Sequence, residues 1–313
     1  MPIIIPKDIP AYETLKNENI FVMSTNRANT QDIRPIDILI LNLMPTKIET
    51  ETQLTRLLAN SSLQVNVTFI VPKSHEVKNT SKSHLDKFYT TFDEIKNKNF
   101  DAMIVTGAPV EQLEFEDVDY WNELKMIFEF SKTHITTSMF ICWGAQAALY
   151  YFYGINKYPL KEKLFGVYKH KKSVEYEPLL NGIDDVFYIP QSRHTYNKES
   201  DLEKIQDKLL PLVHFTENGQ KHTTILKSPD NKQLFILGHI EYDKYTLKGE
   251  YERDLGKRDD VPYPCNYFNE ETKDVDVLWR STANLIYYNW LNYYVYQMTP
   301  YDFKNPKIKY KNE

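Results

Sequence analysis

Residues Thr137–Tyr151 read TSMFICWGAQAALYY, an apolar strand that runs through Cys142-Trp143-Gly144 and straight out into a helix. With almost no loop between the two elements, the corner residue is forced into a strained backbone conformation. Its side chain is pushed out at the carboxyl edge of a sheet. Gly144 lets the turn close, and Ala145, Ala147 and Ala148 let the helix lie near the sheet. The helix also points its first N–H groups and its positive end at the sulfur, which favours thiolate over thiol. Free cysteine is equally a common filler of cores, so pattern alone leaves Cys142 readable as nucleophile or as packing.

The neighbouring sequence tells what kind of sheet this is. Asp37–Met44 (DILILNLM) is a continuous apolar strand ended by Pro45, after which Thr46 to Glu49 reads as a capping box opening a helix through Leu58. Leu63–Val71 alternates and stops at Pro72, and Asp101–Thr106 is a third strand followed by Gly107-Ala108-Pro109. Trp121–Phe130 places Trp121, Leu124, Ile127 and Phe128 on one helical face. Strands alternating with helices imply parallel pairing, hence an open doubly wound α/β sheet with helices on both faces. Ligands bind such sheets beyond the carboxyl ends of the strands, where Pro45, Gly107 and Cys142 converge.

Downstream the character changes. Pro211–Thr216 and Lys221–Lys227 flank Asn218-Gly219, a strong hairpin signal, and a turn at Pro229–Asn231 leads to Gln233–His239. Three strands therefore form an antiparallel meander. A helix over Val275–Tyr294, with Leu278, Thr282, Leu285 and Trp290 on its apolar face, closes the chain. The meander ends in LGHIEYD. His239 and Glu241 lie two apart, so on a continuing strand they share a side, as a base and its orienting carboxylate require. With Cys142 they complete a nucleophile, base and orienter. Gly107 frees the backbone to aim an N–H at the cleft and the Trp143 N–H follows the nucleophile, so the pair reads as an oxyanion hole. Gly107 to Pro109 also reads as a plain turn.

Composition excludes several classes. The formal charge of −5 provides no basic excess to neutralise phosphates, which argues against a nucleic-acid or membrane-surface protein. The basic run Lys169–Lys172 reads as a solvated loop face or as a patch that attracts a phosphate-bearing cofactor. The N-terminal apolar run is broken by Pro2, Pro6 and Pro10, and no segment approaches a membrane span, so a cytoplasmic protein is expected. Two cysteines without CxxC spacing make neither a disulfide framework nor a metal site.

NLMPTKIETETQ (Asn42–Gln53), TGAPVE (Thr106–Glu111), ICWGAQAAL (Ile141–Leu149), FGVY (Phe165–Tyr168), PQSRHT (Pro190–Thr195) and GHIEYD (Gly238–Asp243) resemble the homoserine O-acyltransferases of the succinyltransferase-type (MetA) family through nearly the whole chain. The resemblance implies a class I glutamine amidotransferase-like, flavodoxin-like fold. It implies one domain over 1–313, a core at about 35–240 with a helical extension over 241–313. It also implies acylation of the L-homoserine hydroxyl from an acyl-coenzyme A in methionine biosynthesis, with no permanently bound cofactor. The family's nucleophile falls on Cys142, its base on His239 and its orienting carboxylate on Glu241. Its substrate-binding positions fall on Lys163, Ser192 and Arg253, with Ser192 also bearing on donor choice. Lys47, beside the first strand end, adds positive potential near the oxyanion or simply opens its helix. The expected assembly is a homodimer.

Position 111 bears on the donor. Family members with a small residue there use succinyl-CoA, and glutamate accompanies acetyl-CoA. A succinyl carboxylate about 4 Å from Glu111 would be repelled by about 4 kcal/mol at an effective dielectric of about 20, roughly a thousandfold. Acetyl carries no such charge, so acetyl-CoA is the expected cosubstrate. A glutamine amidohydrolase uses the same elbow but normally has glycine on both sides of its cysteine, where this chain has Ile141. A silent amidotransferase-like binding module is the non-enzyme alternative.

Overall fold

The computed structural model describes residues 3–18, 22–23, 34–75, 77, 79–256 and 261–300. In chain order the elements are β1 (Ile3–Ile4), α1 (Pro10–Asn17), β2 (Val22–Met23), β3 (Ile36–Leu41), α2 (Lys47–Ala59), β4 (Val65–Ile70), α3 (Lys82–Phe88), β5 (Tyr89–Thr90), α4 (Phe92–Ile95), β6 (Phe100–Val105), α5 (Trp121–His134), β7 (Ile135–Ile141) and α6 (Trp143–Tyr153). There follow β8 (Tyr158–Lys172), β9 (Val186–Tyr196), α7 (Glu199–Glu203), β10 (Leu210–Glu217), β11 (Gln220–Lys227), β12 (Gln233–Ile236), α8 (Thr246–Leu255) and α9 (Arg280–Asn289).

Among the described residues all strands join one 12-stranded sheet in the order β2-β1-β4-β3-β6-β7-β12-β11-β10-β8-β9, with β5 attached to β4. The first half is parallel. It is apolar on both faces because helices cover both: Ile38 and Ile40 pack with Leu54, Leu58 and Trp290, while Leu39 and Leu41 pack with Leu124 and Phe128. A continuous apolar run, rather than an alternating one, is what two-sided burial requires. Trp121, Leu124, Ile127 and Phe128 are all buried, so α5 presents the face its spacing predicts.

The meander β10-β11-β12 is antiparallel, turning at Asn218 and Gly219 with φ of 50° and 77°. Its last strand then pairs parallel with β7, Ile236 opposite Ile141. That junction joins the two halves and sets the segment that carries His239 beside the one that carries Cys142.

Several expectations need correcting. Thr46 makes no side-chain cap on α2, and Glu49 bonds Gln53 and Thr246 instead. Lys169–Lys172 is not a loop but the end of β8, with His170 fully buried between exposed lysines. The C-terminal helix starts at Arg280, not Val275, and continues as a π-helical stretch over Trp290–Tyr296. Val275 instead bridges Phe268, and Leu278 is exposed, so the buried face runs through Thr282, Ala283, Ile286 and Tyr287. The part of the expected extension over 257–260 and 301–313 lies outside the described residues. Among the described residues no helix is long and apolar enough to cross a membrane.

Candidate active site

Cys142 stands between β7 and α6 with φ 50° and ψ −117°, a conformation that a side chain other than glycine rarely adopts. The strain is held from both sides: its N–H donates to the Ile236 carbonyl at 2.7 Å, and its carbonyl accepts from the Gln146 N–H at 3.1 Å. Gly144 makes the corner possible, since a Cβ there would sit 2.5 Å from the Thr106 carbonyl oxygen and 3.0 Å from that of Val105. Gly107 floors the same corner. A Cβ on it would come 3.3 Å from Cys142 Cβ, 3.5 Å from His239 Cε1 and 3.6 Å from Met44 Sδ. Its carbonyl accepts from the Thr106 hydroxyl, which fixes the orientation of the peptide. The Trp143 ring is buried against Phe115 and Tyr120.

His239 and Glu241 meet, but by a different geometry than strand alternation: β12 ends at Ile236 and the two residues occupy the turn beyond it. Nδ1 of His239 lies 2.7 Å from Oε1 of Glu241. The imidazole also hydrogen-bonds Cys142 and stacks on Tyr242 with ring centroids 4.1 Å apart. Burial alone lowers the His239 pKa, but the Cys142 and Glu241 charges and hydrogen bonds prevail and raise it well above its usual value.

These groups open on a cavity of about 460 Å³ whose walls include Met44, Ala108, Glu111, Cys142, Lys163 and Ser192. His194, His239, Tyr242, Glu250, Arg253 and Asp254 complete it. A larger cavity of about 640 Å³ lies behind Glu241 against Trp279 and Arg56 and is lined by neither cysteine.

The other expected residues fall as follows. The Lys163 side chain is 7% exposed, with its ammonium 3.7 Å from Glu250 and 3.5 Å from Asp254, over the Phe165 ring. The Ser192 hydroxyl donates to Glu250 at 2.5 Å. Arg253 sits on α8 with Nε bonded to Asp254. Glu111 accepts the His194 N–H at 3.2 Å, and burial raises its pKa against the pull of that bond and of the Lys163 charge. Lys47 is not in the cavity wall: its buried ammonium is bonded to the Asn42 and Met44 carbonyls, so it braces the turn after β3.

Two residues escaped the sequence reading. Glu250 ties the polar wall together, accepting from Ser192 and from the Tyr242 hydroxyl at 2.7 Å. The spacing of Glu250, Arg253 and Asp254 at i, i+3 and i+4 on one helix was the available signal. Arg193 is buried directly behind the wall formed by Ser192 and His194.

A family profile described as homoserine O-succinyltransferase matches residues 2–301. Among curated proteins, the homoserine O-acetyltransferases of Geobacillus sp. (strain WCH70) and Clostridium novyi (strain NT) are each 55% identical over 97% of this chain and 100% of their own. That of Acetivibrio thermocellus is 52% identical over 98% of this chain and 100% of its own. Among solved structures, a glutamine amidotransferase of Thermotoga maritima aligns with TM-score 0.52 at 13% identity, covering 84% of this chain and 99% of that one. A glutamine amidotransferase of Methylobacillus flagellatus aligns with TM-score 0.53 at 12% identity, covering 83% and 95%. These two establish an amidotransferase-like α/β fold, and at such identity the fold alone.

Proposed function

The chain belongs to the homoserine O-succinyltransferase family, and from that premise we propose that it is a homoserine O-acetyltransferase, passing the acetyl group of acetyl-CoA to L-homoserine through a thioester on Cys142. The observation that carries the reading is one imidazole shared between a strained cysteine and a carboxylate, in a cavity walled by Glu111.

The Cys142 thiolate attacks the carbonyl carbon of acetyl-CoA while His239 holds the proton. The oxyanion that forms faces the N–H groups of Trp143 and Gly107. When the carbon–sulfur bond to coenzyme A breaks, His239 returns the proton to the departing thiolate, and acetyl remains on Cys142. His239 then takes the proton of the homoserine hydroxyl, whose oxygen attacks the acetyl carbon; the Cys142 thiolate is released and O-acetylhomoserine leaves. Glu241 keeps the imidazole in register and stabilises its cationic form.

The polar wall suits an amino-acid substrate. Arg253 and Lys163 offer positive charge to its carboxylate, and Glu250, held by Ser192 and Tyr242, offers a carboxylate to its ammonium. Glu111 supports acetyl over succinyl, because a second carboxylate brought beside it would be repelled.

Acetyl transfer to homoserine should vanish in Cys142→Ala, and intact mass after incubation with acetyl-CoA should show one acetyl group on the wild-type chain. A higher kcat/KM with succinyl-CoA would overturn the donor assignment. Ammonia release from glutamine would point to an amidohydrolase instead. Sedimentation of the active protein checks the expected homodimer.

A further inference from the structure

One side chain touches both the imidazole of His239 and the carboxylate of Glu250. Tyr242 lies between β12 and α8, 5% exposed, in the wall of the catalytic cavity. Its ring is laid on the His239 imidazole, with centroids 4.1 Å apart and planes 20° from parallel. Its hydroxyl donates to Glu250 Oε1 at 2.7 Å. Burial, aided by the Glu250 charge, raises the phenol well above its usual pKa, so it stays protonated and keeps donating.

The bridge is anchored at both ends. The Trp279 indole N–H donates to the Tyr242 carbonyl at 2.8 Å, and Tyr242 packs in one apolar cluster with Phe165, Leu247, Tyr267 and Trp279. That cluster also pins the helix carrying Glu250, because the Tyr267 hydroxyl accepts the Lys248 N–H at 3.2 Å. On the far side Glu250 Oε2 accepts the Ser192 hydroxyl at 2.5 Å and lies 3.7 Å from the Lys163 ammonium. Both oxygens of Glu250 are therefore held, one from β9 and one by Tyr242.

His239 needs the ring for a different reason. Its partners Glu241 and Cys142 bond it at the edge, which holds the imidazole within its own plane. Edge bonds resist tilting out of that plane far less. The face of Tyr242 blocks that tilt.

We propose that Tyr242 is a positioning residue with two separable duties: its ring holds the face of the His239 imidazole through both half-reactions, and its hydroxyl sets the Glu250 carboxylate for the amino-acid substrate alone. The inference rests on the proposed acyl transfer, but not on which acyl donor is used.

Tyr242→Phe keeps the ring and removes the hydroxyl. Acyl-enzyme formation from the better of acetyl-CoA and succinyl-CoA, read by quenched intact mass before homoserine is added, should stay within about threefold of wild type. KM for homoserine should rise roughly tenfold. In a Glu250→Ala background the same change should alter that KM by less than about twofold, because the hydroxyl has already lost its partner. Tyr242→Leu removes the ring as well and should slow acyl-enzyme formation roughly 10- to 100-fold. An unmoved homoserine KM in Tyr242→Phe, or equal slowing of both half-reactions, would overturn the duty of the hydroxyl. Acylation of Tyr242→Leu at the wild-type rate would overturn that of the ring, and Tyr242→Met is read in its place should the leucine variant not fold. A wild-type chain that takes an acyl group from neither donor would instead remove the proposed function, and this role with it.

Discussion

Nδ1 of His239 lies 2.7 Å from Oε1 of Glu241 although the strand leading to them has already ended, so the pair is set by a turn whose other anchor is the His239 N–H bonded to the Pro190 carbonyl. Replacing the carboxylate keeps the shape and removes the charge. Glu241→Gln should lower kcat by roughly 10³- to 10⁴-fold with modest change in KM. It should also lower the His239 pKa, because one of the two anions that raise it is gone. An NMR titration of the His239 imidazole reads that fall, and a value that rises in the variant would contradict the pairing.

Glu111→Gly should narrow the preference for acetyl-CoA over succinyl-CoA. The full repulsion corresponds to roughly a thousandfold, and because burial raises the Glu111 pKa that repulsion is lost as pH falls through the raised value. The gain for succinyl-CoA should therefore grow with pH, which steady-state kcat/KM at two pH values reads directly.

Glu250→Gln should raise KM for homoserine roughly 10- to 100-fold, the effect of losing a charged hydrogen-bond partner worth about 1.5–3 kcal/mol. KM for acetyl-CoA should stay near wild type. Equal rises for both substrates would place Glu250 outside homoserine recognition.

Gly144→Ala and Gly107→Ala should separate fold from function. A Cβ at Gly144 meets backbone oxygen at 2.5 Å, which cannot move aside cheaply, and the cost is about 1–3 kcal/mol or more. At Gly107 the nearest atom is Cys142 Cβ at 3.3 Å, so the fold should tolerate alanine while acyl transfer falls. Urea melts and activity of both variants check the contrast.

Lys47 gives a stability prediction with a defined sign. Burial lowers its ammonium from 10.5 to about 8. Below about pH 8 folded and unfolded chains both hold the proton. Between about 8 and 10.5 only the unfolded chain does, so this residue makes stability rise with pH through that window. Lys47→Met should remove a rise of about 3 kcal/mol at most, seen as the difference between wild-type and variant urea melts across that range.

Much of this was legible in the sequence, and what was missed has physical reasons. The elbow, β3, β4, β6 and the Asn218-Gly219 turn are local: apolar runs and turn chemistry decide them without reference to distant residues. Strand β8 was missed because it is half-solvated, and its charges at Lys161, Glu162, Lys169 and Lys171 look like a loop when the partner strand is unknown. The start of α9 was misplaced because Val275, Leu278 and Trp279 mimic helical spacing. Val275 in fact bridges Phe268, and the Trp279 indole N–H donates to the Tyr242 carbonyl. Arg193 carries no local signature, and the spacing of Glu250, Arg253 and Asp254 shows that they share a helix face without showing what that face meets across the fold. The triad was readable as a set of residue types, whereas its geometry was not.

The junction of β7 with β12 has a consequence for synthesis. Ile141 finds its partner at Ile236 only after β8 to β11 have been made. At about 5–20 residues per second, roughly 5–20 s separate the emergence of the thiol from that of its base. Through that interval Cys142 belongs to a strand with an open edge and has neither His239 nor the Ile236 carbonyl that holds its strained peptide. In the nascent chain the thiol thus stands without these partners, and the cluster is complete only when the last central strand slots in. Closing the sheet and bringing Cys142, His239 and Glu241 together are one event.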